Sequence, residues 1–236
     1  MTIKMNNFFS IAIPTYEMNG YGVDFLTHSF IILFNQTFKD FEVVVSDHSL
    51  NNEVKTLCDS WSDKLNIKYL KNLDGIGGSS PNINNAIKWC EGKWIKFLFQ
   101  DDFLFNSDSL EKLRVHITHN ADKVWFVTAC EHSPDGYTMT NPHYPHWTED
   151  IHLGNNRISS PSVVTIKNKD LVYFDESLIW LMDVEYYKRM YDKYGEPSYL
   201  QTINVVNRVW GDSVSNSLPQ EIKDKEVSLM RNKYNN

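Results

Sequence analysis

Strand-like apolar runs alternate with segments of helical periodicity in the first half of the chain. Three runs of strand length lie at 9–13 (FSIAI), 42–46 (EVVVS) and 67–70 (IKYL). Leu26, Phe30 and Leu33 recur at the spacing of one helix face. They predict a helix over 23–34, and a second helix is expected around 52–65. This alternation predicts βαβ units with right-handed crossovers, and therefore an α/β fold with a largely parallel sheet.

A third helix is predicted after the glycine-containing loop at 75–78. Ser80 followed by Pro81 is typical of a helix start, with the serine as N-cap and the proline in the first helical position. The helix is expected to continue to about Cys90, and Gly92 is expected to end it.

The next stretch, KWIKFLFQDDFL at 93–104, is an apolar, β-prone run that ends in two adjacent acids, Asp101 and Asp102. Carboxylates at the end of a buried strand lie at the carboxyl edge of the sheet, where open α/β folds bind ligands. Two hard oxygen ligands at that edge can hold Mg²⁺ or Mn²⁺, which in turn can hold a diphosphate. The alternative is a strand that ends in a turn, where aspartate is favoured without any ligand.

The second half of the chain is less regular. Strands are predicted at 124–129 and 162–166, and a helix over 181–194. The long connection between 130 and 161 is rich in Pro, His, Trp and Asn, and a connection of that length is usually functional or mobile. No repeat or linker divides the chain, which favours one domain, and the last dozen or so residues are expected to form a partly disordered tail.

Charge and composition exclude several classes of protein. A net charge of −7 and a pI near 5.6 argue against a nucleic-acid-binding protein. The longest apolar stretches, such as 30–34, are far shorter than the roughly 20 residues that span a bilayer, and the first ten residues contain no secretory apolar region. The three cysteines, Cys58, Cys90 and Cys130, are scattered and are expected to be reduced and semi-buried. A cytoplasmic protein is therefore expected.

Four segments then follow one another in a recognisable order. SIAIPTYEMNG (10–20) contains a strand and a Pro-Thr-Tyr turn, and FNQTFKDFEVVVSDHS (34–49) contains a Gln-Thr pair, Phe-Glu, an apolar strand and Asp-x-Ser. GGSSPNINNAIKWCEGKWIKFLFQDD (77–102) is a helix, a glycine turn and a strand that ends in acids, and WLMDVEYYKRM (180–190) is an acidic helix start. Together they resemble the nucleotide-sugar glycosyltransferases of the GT-A fold, specifically the large inverting family 2.

The resemblance extends over about 9–217 and implies a fold and a domain plan. The implied fold is an α/β, Rossmann-like three-layer sandwich of GT-A type with a mostly parallel central sheet. The plan is a single domain over 1–222 followed by a C-terminal tail at 223–236. Within the domain, a nucleotide-binding half is expected at about 8–104 and an acceptor and catalytic half at about 105–217.

The sequence departs from the pattern of this family at several positions. The common Asp-x-Asp metal motif is Phe99-Gln100-Asp101 here, so Asp101 matches the metal ligand and Asp102 is an additional acid. Trp210 stands about where a metal-binding histidine often lies, although Asp212 could substitute and water can complete the shell. Three further positions differ from the usual residues: Ser46-Asp47 for Asp-Asp, Ile83 for arginine, and Met182-Asp183 for Glu-Asp.

The resemblance implies the chemistry of glycosyl transfer from a nucleoside diphosphate sugar. Mn²⁺ or Mg²⁺ held by Asp101, with Asp102 as a second candidate ligand, would neutralise charge on the leaving diphosphate. Asp183 is the candidate base that accepts the proton of the acceptor hydroxyl during in-line attack. The alternative for Asp183 is a plain helix start, where the helix dipole favours acids.

Further residues are assigned to the two substrates through the same resemblance. The nucleotide-sugar site is expected to comprise Pro14, Thr15, Tyr16, Glu17, Asp47, Gly78, Asn84, Gln100 and Asp101. Asp47 follows a buried strand and is expected to reach the ribose or base from a position exposed to the cleft. Tyr16 could instead be a packing aromatic, and Gly77 and Gly78 could merely form a turn.

The acceptor site is expected to include Trp147, Ser160 and Trp180, because flat aromatic faces suit sugar rings. The segment 156–162 would border it. A zinc site is the alternative use of the histidines, either His116 with His119 or the three at 143, 146 and 152. None of the cysteines lies at ligand spacing from them, which disfavours zinc.

The sequence therefore predicts an inverting, metal-dependent glycosyltransferase that acts on a glycan or lipid-linked acceptor in surface polysaccharide synthesis. The protein is expected in the cytoplasm, and peripheral association with the inner face of the membrane is left open. A GT-A domain that binds nucleotide or glycan without turnover remains an alternative, because of Phe99 and Trp210. A sugar nucleotidyltransferase is disfavoured, because IPTYEMNGYG after the first strand contains no basic residue for a triphosphate.

Overall fold

The computed structural model describes residues 7–74, 77–211, 213 and 217–234. Its strands are β1 (Phe9–Thr15), β2 (Phe41–Asp47), β3 (Ile67–Lys71), β4 (Trp94–Phe97), β5 (Phe103–Leu104), β6 (Trp125–Ser133), β7 (Val164–Lys167) and β8 (Ser198–Arg208). Its α-helices are α1 (Gly22–Phe34), α2 (Glu53–Trp61), α3 (Ser79–Lys88), α4 (Ser109–His119), α5 (Met182–Tyr194) and α6 (Gln220–Tyr234).

All of these strands belong to one sheet, in the order β3-β2-β1-β4-β7-β6-β8-β5. The first four are mutually parallel, and β6 is parallel to β8. Strand β7 runs antiparallel to both of its neighbours, and β5 is antiparallel to β8. The predicted α/β fold with a mostly parallel sheet is confirmed.

The core follows the predicted pattern. Every residue of β1 and β2 is buried, as expected of central parallel strands covered on both faces. Leu26, Phe30 and Leu33 of α1 are fully buried, which confirms the helix face read from their spacing. Burial of each such side chain contributes about 1.5–3 kcal/mol relative to leaving it exposed.

Two predicted boundaries differ from the structure. Helix α3 begins at Ser79 with Gly78 as N-cap, and the Ser80 hydroxyl donates to the carbonyl of Leu178 instead of capping the helix. The strand predicted over 93–104 ends at Phe97, and a turn closed by the Asp102 N–H donating to the Phe99 carbonyl (3.0 Å) separates it from β5. This turn places both acids at the sheet edge.

Strand β8 and helix α6 are among the elements that the sequence did not predict. Strand β8 brings residues 198–208 alongside β6 and carries Arg208 to the same edge as the acids. Helix α6 occupies most of the segment predicted to be a disordered tail, with Glu226 and Met230 buried. In the part of the chain that the structure describes, no helix is both long and apolar enough to cross a membrane.

Candidate active site

Two adjoining cavities open at the carboxyl edge of β1, β2 and β4. The first cavity, of about 320 Å³, is lined by residues that include Tyr16, His48 and Gln100. The second cavity, of about 590 Å³, is lined by residues that include Asp102 and Asp183. Asp101 lines both cavities, so its carboxylate lies where they meet.

The wall of the first cavity is held by Gln100, whose side chain is buried. Its Oε1 accepts the N–H of Tyr16 (2.8 Å) and its Nε2 donates to the carbonyl of Gly22 (2.7 Å). A Cβ on Gly22 would lie 2.2 Å from the Tyr16 carbonyl oxygen, so only glycine lets α1 approach this closely. Glu17 extends the wall by accepting the N–H of Leu50.

Five of the predicted nucleotide-sugar residues therefore line the first cavity besides Asp101: Pro14, Tyr16, Glu17, Gly78 and Gln100. The side chain of Tyr16 is 44% exposed, whereas an aromatic residue that packs in the core would be buried. The position of these side chains fits the predicted role, and the role itself stays a prediction.

Asp47 differs from its expected exposure, because its side chain is fully buried. One carboxylate oxygen accepts the N–H of Ser49 (2.8 Å), and the other accepts the hydroxyl of Tyr69 (2.6 Å) and lies 3.4 Å from the Lys71 ammonium. Tyr69 and Lys71 belong to β3 and lie more than twenty residues after Asp47 in the chain. Asp47 thus organises the turn that presents His48 to the first cavity.

Two other predicted binding residues also lie beneath the cavity surface. Thr15 is fully buried, and its hydroxyl donates to the Ser46 carbonyl (3.2 Å). Asn84 lines neither cavity and makes two hydrogen bonds with the backbone of Phe174. Its Nδ2 donates to the Phe174 carbonyl (2.9 Å), and its Oδ1 accepts the Phe174 N–H (2.8 Å). Asn82 lines the first cavity instead and donates to the Thr15 carbonyl (3.0 Å).

Asp101 and Asp102 have different surroundings. Asp101 Oδ2 accepts the indole N–H of Trp210 (3.1 Å), and its carboxylate faces the cavities. Asp102 is buried, and its two oxygens accept the Arg208 N–H (3.0 Å) and the Ser160 hydroxyl (3.0 Å). Burial raises the pKa of both, and for Asp102, with the neighbouring Asp101 charge adding to the effect, the pKa reaches about 7.

Asp183 lies in the first turn of α5 and lines the second cavity. Its Oδ1 accepts the N–H of Val184 (2.7 Å) and its Oδ2 accepts the Nδ2 of Asn156 (2.7 Å). Burial raises the pKa of Asp183 to about 7. A carboxylate with this pKa exchanges a proton readily at neutral pH, as a general base requires.

The segment 156–160 joins the two acidic positions. Asn156 binds Asp183, and four residues later Ser160 binds Asp102. Between them Ser159 has a φ of 95°, a left-handed conformation that is uncommon for a non-glycine residue. Its carbonyl accepts the Tyr187 hydroxyl (3.0 Å) and the Asn156 amide (3.0 Å), which hold it in place.

Arg208 is a site residue that the sequence reasoning missed. Its guanidinium donates to the Asp101 carbonyl (3.1 Å) and lies 4.5 Å from the ring centroid of Phe25. It therefore brings a positive charge beside both acids, and its backbone N–H binds Asp102. In this stretch the resemblance points only to Trp210 and Asp212, and the strand that brings Arg208 to the site has no clear signal in the sequence.

The predicted acceptor residues separate into two groups. Ser160 and Trp180 line the second cavity together with Asp183, and their acceptor role stays a prediction. Trp147 does not, because its ring stacks on Tyr191 at a centroid distance of 3.9 Å and packs against the core. His132, His143 and Arg157 line the second cavity in its place.

Asp101 and Asp102 could supply only part of the coordination shell of Mg²⁺ or Mn²⁺. Among the residues with described positions, no three His, Cys, Asp or Glu side chains converge as a metal site would require. Mg²⁺ is commonly bound by one or two carboxylates together with substrate phosphates and water, and Asp101 at the cavity surface fits that mode. Asp212 lies outside the described residues. The three cysteines are free and buried.

Known proteins are similar to this chain in sequence. The model of "Glycosyl transferase family 2" matches residues 10–179. The poly(ribitol-phosphate) beta-N-acetylglucosaminyltransferase TarS of Staphylococcus aureus is 26% identical over 178 residues, covering 72% of this chain and 30% of TarS. The GalNAc(5)-diNAcBac-PP-undecaprenol beta-1,3-glucosyltransferase of Campylobacter jejuni is 30% identical over 98 residues, covering 41% of this chain and 30% of the relative. The chain thus spans about a third of the length of these relatives.

Solved structures share the fold. Staphylococcus aureus TarS in complex with UDP-GlcNAc superposes with a TM-score of 0.72 at 21% identity, covering 94% of this chain and 66% of that one. The mannosyltransferase PcManGT of Pyrobaculum calidifontis, in complex with GDP-Man and Mn²⁺, gives a TM-score of 0.59 at 13% identity and covers 87% of this chain and 58% of that one. Since the family model covers most of the chain, from β1 to just before α5, this protein belongs to glycosyl transferase family 2.

Proposed function

We propose that the protein transfers a sugar, with inversion of configuration, from a nucleoside diphosphate sugar to a hydroxyl of a glycan or lipid-linked acceptor in surface polysaccharide synthesis. One observation carries the proposal: Asp101 and Asp183 line the same second cavity, and Asp101 also lines the first. A donor in the first cavity would place its sugar at the boundary, with the leaving group near Asp101 and the acceptor near Asp183. Sugar transfer is proposed to take place in the cytoplasm, at the inner face of the membrane when the acceptor is lipid-linked.

The donor is proposed to bind in the first cavity. Tyr16 and Glu17 stand on one side of it and Gly78, the N-cap of α3, on the other. A helix N-terminus favours anionic groups such as a diphosphate. UDP-GlcNAc, which the TarS structure contains, is the first donor to test.

Divalent metal is proposed to be held by Asp101 rather than by Asp102. Both oxygens of Asp102 already accept hydrogen bonds, from Arg208 and Ser160, whereas Asp101 is at the cavity surface. When bound there, Mn²⁺ or Mg²⁺ would offset the negative charge of the leaving diphosphate. Arg208 adds a fixed positive charge next to the same carboxylate.

Asp183 is proposed to be the general base. Asn156 and the Val184 N–H hold its two oxygens, which fixes the direction in which the carboxylate faces the second cavity. With a pKa of about 7, a substantial fraction is ionised at neutral pH and able to take the proton of an acceptor hydroxyl. One base and one in-line displacement leave no covalent glycosyl intermediate, so the product would have inverted configuration.

One observation favours the alternative, a domain that binds nucleotide or glycan without turnover. The indole N–H of Trp210 donates to Asp101 Oδ2, an atom that a metal ion would otherwise use. If this bond persists with donor bound, the indole would compete with a metal ion for that atom, and transfer would be slow.

Incubation with UDP-GlcNAc and other nucleoside diphosphate sugars, with Mn²⁺ or with excess EDTA, separates the two candidates. Thermal denaturation reports binding, because a ligand of the native state alone raises the melting temperature. Release of nucleoside diphosphate and NMR of the product report transfer and anomeric configuration. Stabilisation with metal-dependent transfer supports the proposal, whereas stabilisation without product from any donor and acceptor supports the alternative. A product of retained configuration would refute the mechanism.

A further inference from the structure

Helix α6 contributes a buried carboxylate to the start of α5. Glu226 is 5% exposed, and its Oε1 accepts the N–H of Ile179 (2.8 Å). Its Oε2 accepts the N–H groups of Trp180 (3.0 Å) and Leu181 (2.8 Å). Three successive backbone donors thus converge on one side chain that lies 45 residues further along the chain than the last of them.

These donors lead into α5: Ile179 and Trp180 directly precede the helix, and Leu181 stands at its N-cap position. The side chain of Leu181 offers no hydrogen-bond acceptor. The N–H groups at a helix start need external acceptors, and a negative charge there also interacts favourably with the helix dipole. Glu226 supplies both from a distant element.

Two of these three residues form part of the cavity wall next to the proposed base. Ile179 lines both cavities and Trp180 lines the second. Asp183 follows Leu181 by two residues, in the first turn of α5. A shift of the segment 179–181 would therefore move Asp183 relative to the cavity.

Helix α6 is itself firmly placed against α5. Met230 is fully buried, and near the end of α6 the Lys233 ammonium and the Tyr234 hydroxyl bind Glu185 Oε1 at 2.8 and 2.9 Å. Contacts in the middle and at the C-terminal end of α6 thus fix the position of the Glu226 carboxylate against α5.

We propose that Glu226 is a positioning residue for glycosyl transfer, which holds residues 179–181 and thereby sets the place and orientation of Asp183 in the second cavity. The inference rests on the proposed function for the role of Asp183 as base. The contacts of Glu226 with the backbone do not depend on that role and can be tested separately.

A matched pair of variants tests the proposal. Glu226→Gln keeps the size of the side chain but removes the charge and turns one acceptor into a donor that opposes a backbone N–H. Glu221→Gln makes the same chemical change on an exposed position of the same helix. A third variant, Glu226→Asp, keeps the charge but withdraws it by one methylene, and it covers the case in which Glu226→Gln does not fold.

We expect three results. Amide hydrogen exchange at 179–184 should become faster by about tenfold or more in Glu226→Gln and remain unchanged in Glu221→Gln. The kcat should fall by about tenfold in both Glu226 variants, with the KM of the donor within about twofold, because a displaced base slows chemistry more than donor binding. The acidic limb of the pH profile of kcat should move to lower pH in Glu226→Gln alone, because a nearby negative charge raises the pKa of Asp183.

Unchanged exchange at 179–184 in both Glu226 variants would overturn the proposal. Faster exchange with unchanged kcat and pH profile would also overturn it, because Glu226 would then be only a structural cap. If the unaltered protein transferred no sugar at all, the proposed function would fail, while exchange at 179–184 would still show whether Glu226 holds the start of α5.

Discussion

Replacement of Asp183 by asparagine should separate catalysis from stability. Asparagine keeps the size of aspartate but cannot accept a proton at neutral pH. We expect kcat to fall by about 10²–10⁴, the usual contribution of a general base, which corresponds to about 3–5 kcal/mol in the activation free energy. Donor and metal binding should survive, because the residues proposed for them line the first cavity and Asp183 does not.

The same change should stabilise the folded protein at alkaline pH. Asp183 has a pKa of about 7 in the folded protein against 3.8 in the unfolded chain, so ionisation costs the folded state about 4 kcal/mol. The sign follows from the raised pKa: the unfolded chain loses this proton first, so stability falls as pH rises from about 4 to 7. Two effects reduce the gain from removing this cost. Water in the cleft solvates the ionised Asp183, and the Nδ2 of the new asparagine, itself a donor, must face one of two other donors, the Asn156 amide or the Val184 N–H. We therefore expect a net gain of about 1–2 kcal/mol at pH 8.

Two measurements check the prediction for Asp183→Asn. Thermal denaturation at pH 8 should show a melting temperature higher by about 3–6 °C, and at pH 4 the gain should vanish or reverse. Glu185→Gln is not a suitable control, because Glu185 is buried and paired with Arg189 and Lys233, so Asp192→Asn on the exposed part of α5 serves instead. Turnover within tenfold of the unaltered protein, or a stability difference that does not change with pH, would refute the reasoning.

Three further changes test the rest of the site. Trp210→Phe removes the indole bond that lowers the pKa of Asp101, so we expect the affinity for Mn²⁺ and donor, by calorimetry, to fall about 3–10-fold at pH 6. Equal affinities would contradict this, and a higher affinity would support the alternative in which the indole competes with metal for Asp101 Oδ2. Asp47→Ala leaves the Tyr69 hydroxyl and the Ser49 N–H without their buried acceptor and should cost about 2–4 kcal/mol in urea unfolding; an unchanged midpoint would show that Asp47 does not organise this turn. Gly22→Ala forces a Cβ against the Tyr16 carbonyl and should lower both stability and nucleoside diphosphate binding, whereas Gly211→Ala, in open space, should change neither.

The elements that the sequence predicted are those whose signal is local. The buried face of α1 and the apolar runs of β1 and β2 are visible in a window of a few residues, and the structure has them. Helix α6 has no such signal, because its buried residues are few and one of them is the charged Glu226. Such a helix is stabilised by what it contacts elsewhere, and periodicity alone cannot reveal those contacts.

The candidate site shows the same division. The end of a strand indicates the edge of a sheet, and the acidic helix start is indicated by resemblance, so Asp101 and Asp183 could be placed at a cavity from the sequence, while their roles stay predictions. Asn84 was assigned in place of Asn82 because two residues on one helix face different directions, and the sequence does not say which face meets the cavity. Burial of Asp47 depends on Tyr69 and Lys71 from β3, a partnership that exists only in the folded sheet.

Residues 156–160 limit how the protein can be redesigned. Asn156 binds one acid of the second cavity and Ser160 binds the other, and Ser159 between them has little conformational freedom. A substitution that shifts this backbone would disturb both acids together, so new acceptor preferences obtained here would come with losses elsewhere in the reaction. Libraries that seek a new acceptor should instead vary side chains such as Trp180 and His143, which line the cavity without binding either carboxylate. Diversification within a lineage of this protein should be concentrated at those positions, with 156–160 changing only in concert with Asp102 and Asp183.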